Sequence, residues 1–201
     1  MGLHIFFAKK NIEIRWKTMK ARKWIGLILV AFILVLTAGC GNKTTGKEEQ
    51  LSYMKKFFPE SNEYNEENIK FHFGEEFKNG VMDQTILIDT RSPEEYEKGH
   101  ICGAVNAVLD KEFAMKLLKD APDDSHVLIY GNENDIENNK KFAELLRDIR
   151  WAGAYHFTVS YDELAKLDWM QQYIETEKHE LEKCDFALDD EQVAKVEKYF
   201  E

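Results

Sequence analysis

The chain has 201 residues, of which 44% are hydrophobic and 12% aromatic, enough for one ordinary hydrophobic core and little more. Its 27 basic residues stand against 37 acidic ones, a net charge of −10, and the seven basics and one acid before Cys40 mask a stronger bias, because the remainder carries 20 against 36, or −16. A surface that acidic repels nucleic acid and anionic lipid headgroups, so direct electrostatic binding to either is set aside.

In chain order, Lys20, Arg22 and Lys23 precede an unbroken apolar run from Trp24 to Leu36, and small residues then lead to Cys40. This is the pattern of a signal peptide, predicted over residues 1–39. The thirteen apolar residues of that run are fewer than the roughly 20 needed to cross a hydrocarbon core, so a permanent transmembrane helix is the weaker reading. Met19 begins a signal peptide of ordinary length by itself and is a second candidate start. Phe6 stands where N-myristoylation needs Ser or Thr, so Gly2 is not read as an acylation site. The stretch Leu36–Thr37–Ala38–Gly39–Cys40 resembles a bacterial lipobox, with Thr37 in place of the more usual aliphatic residue. That resemblance implies a diacylglyceryl group on Cys40, which becomes the first residue. Two acyl chains hold a protein stably on a membrane. The expected location is the extracytoplasmic face of a bacterial cell membrane.

Residues 40–60 read as a tether and a short helix: Gly41 to Gln50 is small and polar, and Leu51, Met54, Phe57 and Phe58 lie at helical spacing before Pro59. Residues 60–68 are acidic and polar and are assigned to a loop. Ile69, Phe71 and Phe73 alternate with Lys70 and His72, which predicts a strand. Thereafter elements alternate: strand Ile86–Asp89, helix Pro93–Lys98, strand Ala104–Asn106, helix Lys111–Asp120, strand His126–Tyr130, a helix through Phe142, Leu145, Leu146 and Ile149, strand Tyr155–Val159 and helix Tyr161–Leu167. Alternation of this kind predicts an α/β domain, over residues 61–168, in which a small parallel sheet is flanked by helices on both faces. Residues 169–201 form a helical extension, with helices expected over Trp169–Lys183 and Asp189–Phe200.

The most informative stretch is Leu87 to Asn106. Asp89 ends a buried strand, Ser92 can cap the next helix, Pro93 suits its first position, Glu94 or Glu95 favours its positive end, and Gly99 ends it. This stretch resembles the rhodanese-like family, in which a strand ending Asp-x-Arg, an acidic helix and Gly-His-Ile-x-Gly-Ala-x-Asn follow one another. The matching residues are Asp89, Arg91, Glu95, Gly99, His100, Gly103 and Asn106, and the resemblance extends from about Ile69 to Leu167, with Gly153 before the last strand fitting as well. In the family a glycine pair follows that strand, whereas Val159 and Ser160 stand here.

The resemblance implies a domain whose active members carry sulfane sulfur on a cysteine persulfide. That cysteine follows the strand aligned with His126–Tyr130, where backbone amides and basic residues stabilise the thiolate. The aligned residue here is Gly131, and the loop continues Asn132, Glu133, Asn134, Asp135. No Cys, Ser or Thr lies between Ser125 and Thr158, and the carboxylates of Glu133, Asp135 and Glu137 disfavour a thiolate. The expected catalytic set is therefore empty, and no cofactor is expected. Cys102, in the connection entering the Ala104 strand, is expected at the opposite ends of the strands from the Gly131 loop, while Cys184 lies outside the resemblance. With Cys40 lipidated, Cys102 and Cys184 are an even pair outside the cytoplasm, and a disulfide between them is one hypothesis.

Asp89 and Arg91 are read as structural, as is His100. His72, His126, His156 and His179 show no metal-ligand spacing, so no metal site is expected, and Tyr155, Phe157, Tyr161 and Trp169 are assigned to the core. The leading expectation is a membrane-tethered, catalytically silent module that binds another protein. Its rival is a thiosulfate-type sulfurtransferase using Cys102 or Cys184, and a structural spacer is a third reading.

Overall fold

The computed structural model describes residues 48, 51–56, 58–79 and 85–201. The signal-peptide run, Met19, Cys40 and Phe57 lie outside the described residues. The chain divides between Glu48 and Glu49, and the fold is that of Glu49–Glu201.

Residues 51–56 are helical. Strand β1 (Glu63–Tyr64) leads into helix α1 (Glu66–Asn79), then β2 (Thr85–Asp89), α2 (Pro93–Lys98), β3 (His100–Ile101) and β4 (Val105–Asn106). Helix α3 (Lys111–Asp120), β5 (His126–Tyr130), a 3-10 turn at Glu133–Asp135, α4 (Ile136–Ile149), β6 (Ala154–Phe157) and α5 (Tyr161–Leu164) follow. A second 3-10 turn (Gln171–Tyr173), β7 (Ile174–Glu175) and α6 (Asp190–Tyr199) complete the chain. Five strands form one sheet in the order β1-β6-β5-β2-β4, every neighbouring pair parallel, and β3 pairs antiparallel with β7 apart from it.

Because side chains alternate along a strand, each strand feeds two cores. Ile88, Val127, Ile129 and Ala154 point to one face, where they meet Leu117 and Leu118 of α3, Phe142 and Leu146 of α4 and Val196 of α6. Leu87, Leu128, Tyr130, Tyr155 and Phe157 point to the other, against Ile69 and Phe73 of α1, Tyr96 of α2 and Leu164 of α5. The parallel α/β class with both faces covered is thus observed, with strands buried nearly end to end, as parallel strands between helix layers must be.

Local chemistry sets the boundaries. Ser92 and Glu95 form a reciprocal capping box at α2, with Pro93 at its first turn, and Gly99 ends the helix at φ 153°, a conformation that favours glycine. Asp110 caps α3 through the Phe113 amide at 2.8 Å, and Asp189 caps α6.

Two expected elements are corrected. The alternation at 69–73 is not a strand: these residues lie within α1, where buried Ile69, His72 and Phe73 fall at the spacing of one helical face. Asn65 starts that helix by accepting the Asn68 amide at 3.0 Å, and β1, within the expected loop, supplies the strand instead by pairing Glu63 with His156 and Tyr64 with Phe157. The stretch 169–183 is not a helix either, because β7 is drawn into pairing with β3. Helix α6 packs on α3 and α4 and fully buries Val196, a contribution of about 1.5–3 kcal/mol. Among the described residues no helix is long and apolar enough to cross a membrane.

Candidate functional site

The site is built from the carboxyl ends of β2, β4 and β5, which are level: Asp89 registers with both Asn106 and Tyr130. Buried Asp89 accepts the Arg91 amide at 2.9 Å and Arg91 Nε at 3.1 Å on Oδ1, and Arg91 Nη2 at 2.6 Å on Oδ2. Arg91 Nη2 also donates to the Gly99 carbonyl at 2.8 Å, and its guanidinium lies 3.4 Å from the centre of the Tyr161 ring. Burial pulls Arg91's pKa down, but the bonds and charge of Asp89 outweigh it and hold the guanidinium above its ordinary value. Asn106 Nδ2 ties the turn together by donating to the Asp89 carbonyl at 3.0 Å and the Arg91 carbonyl at 2.8 Å. Tyr130 Oη accepts the Ile101 amide at 3.0 Å from beneath, and its burial beside Asp89 pushes the phenol well above its usual range. All donors of Arg91 that approach Asp89 and Gly99 are spent on the fold.

The loop after β5 is equally self-contained. Thr90 bonds the Tyr130 carbonyl with its amide at 2.9 Å and its hydroxyl at 3.0 Å, and the Gly131 carbonyl accepts the Tyr161 amide at 2.9 Å. The Asn132 amide donates to Asp135 Oδ2 at 2.8 Å, and the Asp135 amide returns to the Asn132 carbonyl at 3.0 Å. Asn132 Nδ2 reaches Glu95 Oε1 at 3.1 Å, which joins the loop to the cap of α2. Hydrogen bonds from Ser92 first, and from Asn132, hold the Glu95 carboxyl below its usual pKa. A Cβ on Gly131 would stand 2.8 Å from Asp135 Oδ2, 2.9 Å from Asp135 Cβ and closer still to Thr90 Oγ1. Space and not backbone conformation favours glycine here: a Cβ would require the Thr90 and Asp135 side chains to move, and the Gly131 backbone is not in the left-handed region.

The structure thus brings Asp89, Arg91, Glu95, Gly99, Asn106 and the Gly131–Asp135 loop together, with Glu133 and Asn134 exposed. It does not bring the other cysteines to them. Gly131 lies one residue beyond the level of Asn106 and Tyr130, whereas Cys102 lies four residues before it, ahead of β4. The Cys102 thiol is pushed up to about 11 by burial and by the hydrogen bond and charge of Glu175. Burial and the charges of Glu182 and Asp120 raise the exposed Cys184 thiol as well. An activated nucleophile needs the opposite environment. Both thiols are free, so the hypothesised disulfide is not formed: Cys102 is tied to the Tyr173 and Glu175 side of β7, and Cys184 lies on the segment against α3, where the Phe186 amide bonds the Lys119 carbonyl. His100 is buried beneath the motif, stacked on Tyr96 at 3.7 Å between ring centres, and Gly103 donates its amide to Glu175 Oε1 at 2.7 Å.

Sequence reasoning missed one grouping. His100, Glu175 and His179 bring their ligand atoms within 4.8 Å of one another around the β3–β7 pair. No spacing in the sequence announces it, because the pairing of β3 with β7 creates it.

Residues 74–167 match the family model of the rhodanese-like domain. Among solved structures, one of the Alr3790 protein from Anabaena sp. shares 18% identity, with a TM-score of 0.38, over 54% of this chain and 80% of that one. A structure of the rhodanese-like domain of the same Anabaena protein shares 22% identity over 45% of this chain and 80% of that one, with a TM-score of 0.33. No curated protein matched the chain. The parallel sheet, the Asp89–Arg91 turn and the matched span agree: residues 74–167, a little under half of the chain, are similar to the rhodanese-like domain.

Proposed function

We propose that this domain is a catalytically silent, membrane-tethered module on the extracytoplasmic face of a bacterial cell, and that it acts by binding another protein. One observation carries the reading. At the position where the family resemblance puts a persulfide-forming cysteine stands Gly131, and the space a side chain would need there is occupied by Asp135 and Thr90. A sulfur carrier needs a thiolate and amide hydrogens free to hold its charge. Here position 131 offers no thiol, and the Asn132 amide is bonded by the chain's own carboxylate. Exposed Glu133 and the net charge of −16 past the first 39 residues favour a basic partner surface.

The test is a thiosulfate-to-cyanide assay on the intact purified chain, with persulfide read by mass at Cys102 and Cys184. The expected result is no turnover and no persulfide. Turnover that disappears in Cys102→Ala or Cys184→Ala would overturn the silent reading in favour of a sulfurtransferase with a relocated cysteine. Tethering is tested separately by fatty-acid labelling of cells expressing the wild-type chain and Cys40→Ala, with label expected on the wild type alone. Crosslinking on intact membranes that recovers no partner would leave only a spacer.

A further inference from the structure

We infer that His100, Cys102, Glu175 and His179 form a binding site for a divalent transition-metal cation of the zinc class, one that pins the segment after the rhodanese-like domain to it. The placement comes from strand pairing. In the β3–β7 ladder His100 stands directly opposite Glu175, and His179 follows Glu175 by one helical-turn spacing and folds back onto it, with Nε2 2.7 Å from Glu175 Oε1. The same Oε1 accepts the Gly103 amide at 2.7 Å, and the Cys102 thiol lies beside the Glu175 carboxylate. Two imidazoles and one carboxylate therefore converge from two segments far apart in sequence, with the Cys102 thiol beside the carboxylate as the fourth donor that binding would draw in. The donor atoms of the two histidines and the glutamate already lie within 4.8 Å of one another.

His100 supplies a second, independent sign. Its ring is completely buried, and both ring nitrogens face carbonyl oxygens, Nδ1 at 2.8 Å from Tyr96 O and Nε2 at 2.8 Å from Glu177 O. A neutral imidazole has one N–H, so one of these contacts sets a lone pair against a carbonyl oxygen. A second ring proton would relieve that contact, and so would a bound cation. When Nδ1–H donates to Tyr96, Nε2 is left to ligate, the arrangement by which metal-bound histidines are oriented through a backbone carbonyl.

The donor set suits zinc chemistry, which takes tetrahedral sites of imidazole, thiolate and carboxylate. With bonds of about 2.0–2.3 Å, tetrahedral zinc holds its ligands roughly 3.3–3.7 Å apart, so the His179–Glu175 pair, at 2.7 Å, must open and the wider donor pairs must close, each by about 1 Å or less. His179 can make that movement, because it lies in a segment without helix and its side chain is one-third exposed, at 33%, which also gives the ion a way in. Binding replaces the His100–Glu177 and His179–Glu175 contacts with metal bonds, and the Cys102 proton is released to solvent as the thiolate ligates. His100 and Cys102 belong to the matched domain, while Glu175 and His179 follow it. The ion would bridge the two.

The experiment uses the intact, untagged chain, stripped with chelator and titrated with Zn²⁺ and, as a visible probe, Co²⁺. One equivalent is expected to bind, to raise the melting temperature reversibly with chelator, and to give tetrahedral cobalt bands with a sulfur-to-cobalt charge-transfer band. Cys102→Ser should remove the charge-transfer band. His179→Ala and Glu175→Gln, both at partly exposed positions, should weaken binding by about tenfold or more with the circular dichroism of the apo-protein unchanged. Absence of binding by the wild type overturns the site. So does binding of equal strength in His179→Ala, or a cobalt spectrum without sulfur ligation.

Discussion

The Asp135 carboxylate accepts the Asn132 amide hydrogen at 2.8 Å and, with the Thr90 hydroxyl, occupies the space in front of Gly131. The consequence for engineering is direct. Gly131→Cys places a thiol where the family resemblance expects one but without the room for it, so the variant is expected to show no thiosulfate sulfurtransfer and to lose about 1–3 kcal/mol through overpacking. Urea unfolding reads the second quantity and a cyanide assay the first. Turnover by this single variant would mean that the loop opens at little cost.

The clash partner can be identified by a double-mutant cycle. Thr90 Oγ1 is the atom nearest to a new Cβ, and moving it breaks its 3.0 Å bond to the Tyr130 carbonyl. Gly131→Ala is therefore expected to cost less in a Thr90→Ala background than in the wild type, with a coupling of about 0.5–3 kcal/mol. Strict additivity would show that Asp135 or the backbone bears the strain instead.

How much of this was legible in the sequence depends on how local each cause is. The capping box of Ser92 and Glu95, Pro93 and the buried run His126–Tyr130 declare their elements in a few residues, and the glycine at position 131, where the family resemblance expects a cysteine, stands in one short loop. The stretch Ile69–Phe73 fits two periods at once: Ile69, Phe71 and Phe73 alternate, while Ile69, His72 and Phe73 form a helical face. With His72 taken as polar the alternating pattern prevails, whereas the Asn65 cap and the acids Glu66 and Glu67 mark the start of a helix. The failure at 169–183 had no such cue, since pairing of β7 with β3 is a long-range event. Nor does composition reveal that Asp135 turns inward to bond Asn132 instead of facing a ligand.

A third prediction concerns the buried ion pair. Arg91 and Asp89 have side chains only 4% and 0% exposed, so removing one partner strands the other charge. Arg91→Met is expected to cost about 3–5 kcal/mol, and the double variant Asp89→Asn/Arg91→Met appreciably less than the single, because no unpaired charge remains. Arg91→Lys should also destabilise, since an ammonium cannot reproduce the fork to Asp89 and the stacking on Tyr161. Chemical denaturation of the three variants decides it; a double variant less stable than Arg91→Met would reverse the assignment of the cost to the bare carboxylate.

The last prediction is a pH dependence with its sign set by burial. His156 sits in β6 with Nδ1 donating to the Asn62 carbonyl at 2.9 Å, and burial, only partly offset by that bond, lowers its pKa from the ordinary 6.5. Glu63 and Glu144 nearby act upward on it and Lys140 downward. The unfolded chain therefore takes up its proton first as pH falls, and between the two pKa values the unfolded state binds more protons than the folded one. Stability drops from about pH 7 downward, by no more than about 1.4 kcal/mol per pH unit from this group, and the loss is complete below the folded pKa. His156→Asn retains a donor for the Asn62 carbonyl but cannot titrate, so its stability deficit against the wild type should shrink between about pH 8 and about pH 5. A deficit that stays constant across that range would show that His156 is protonated as readily in the folded protein as in the unfolded chain.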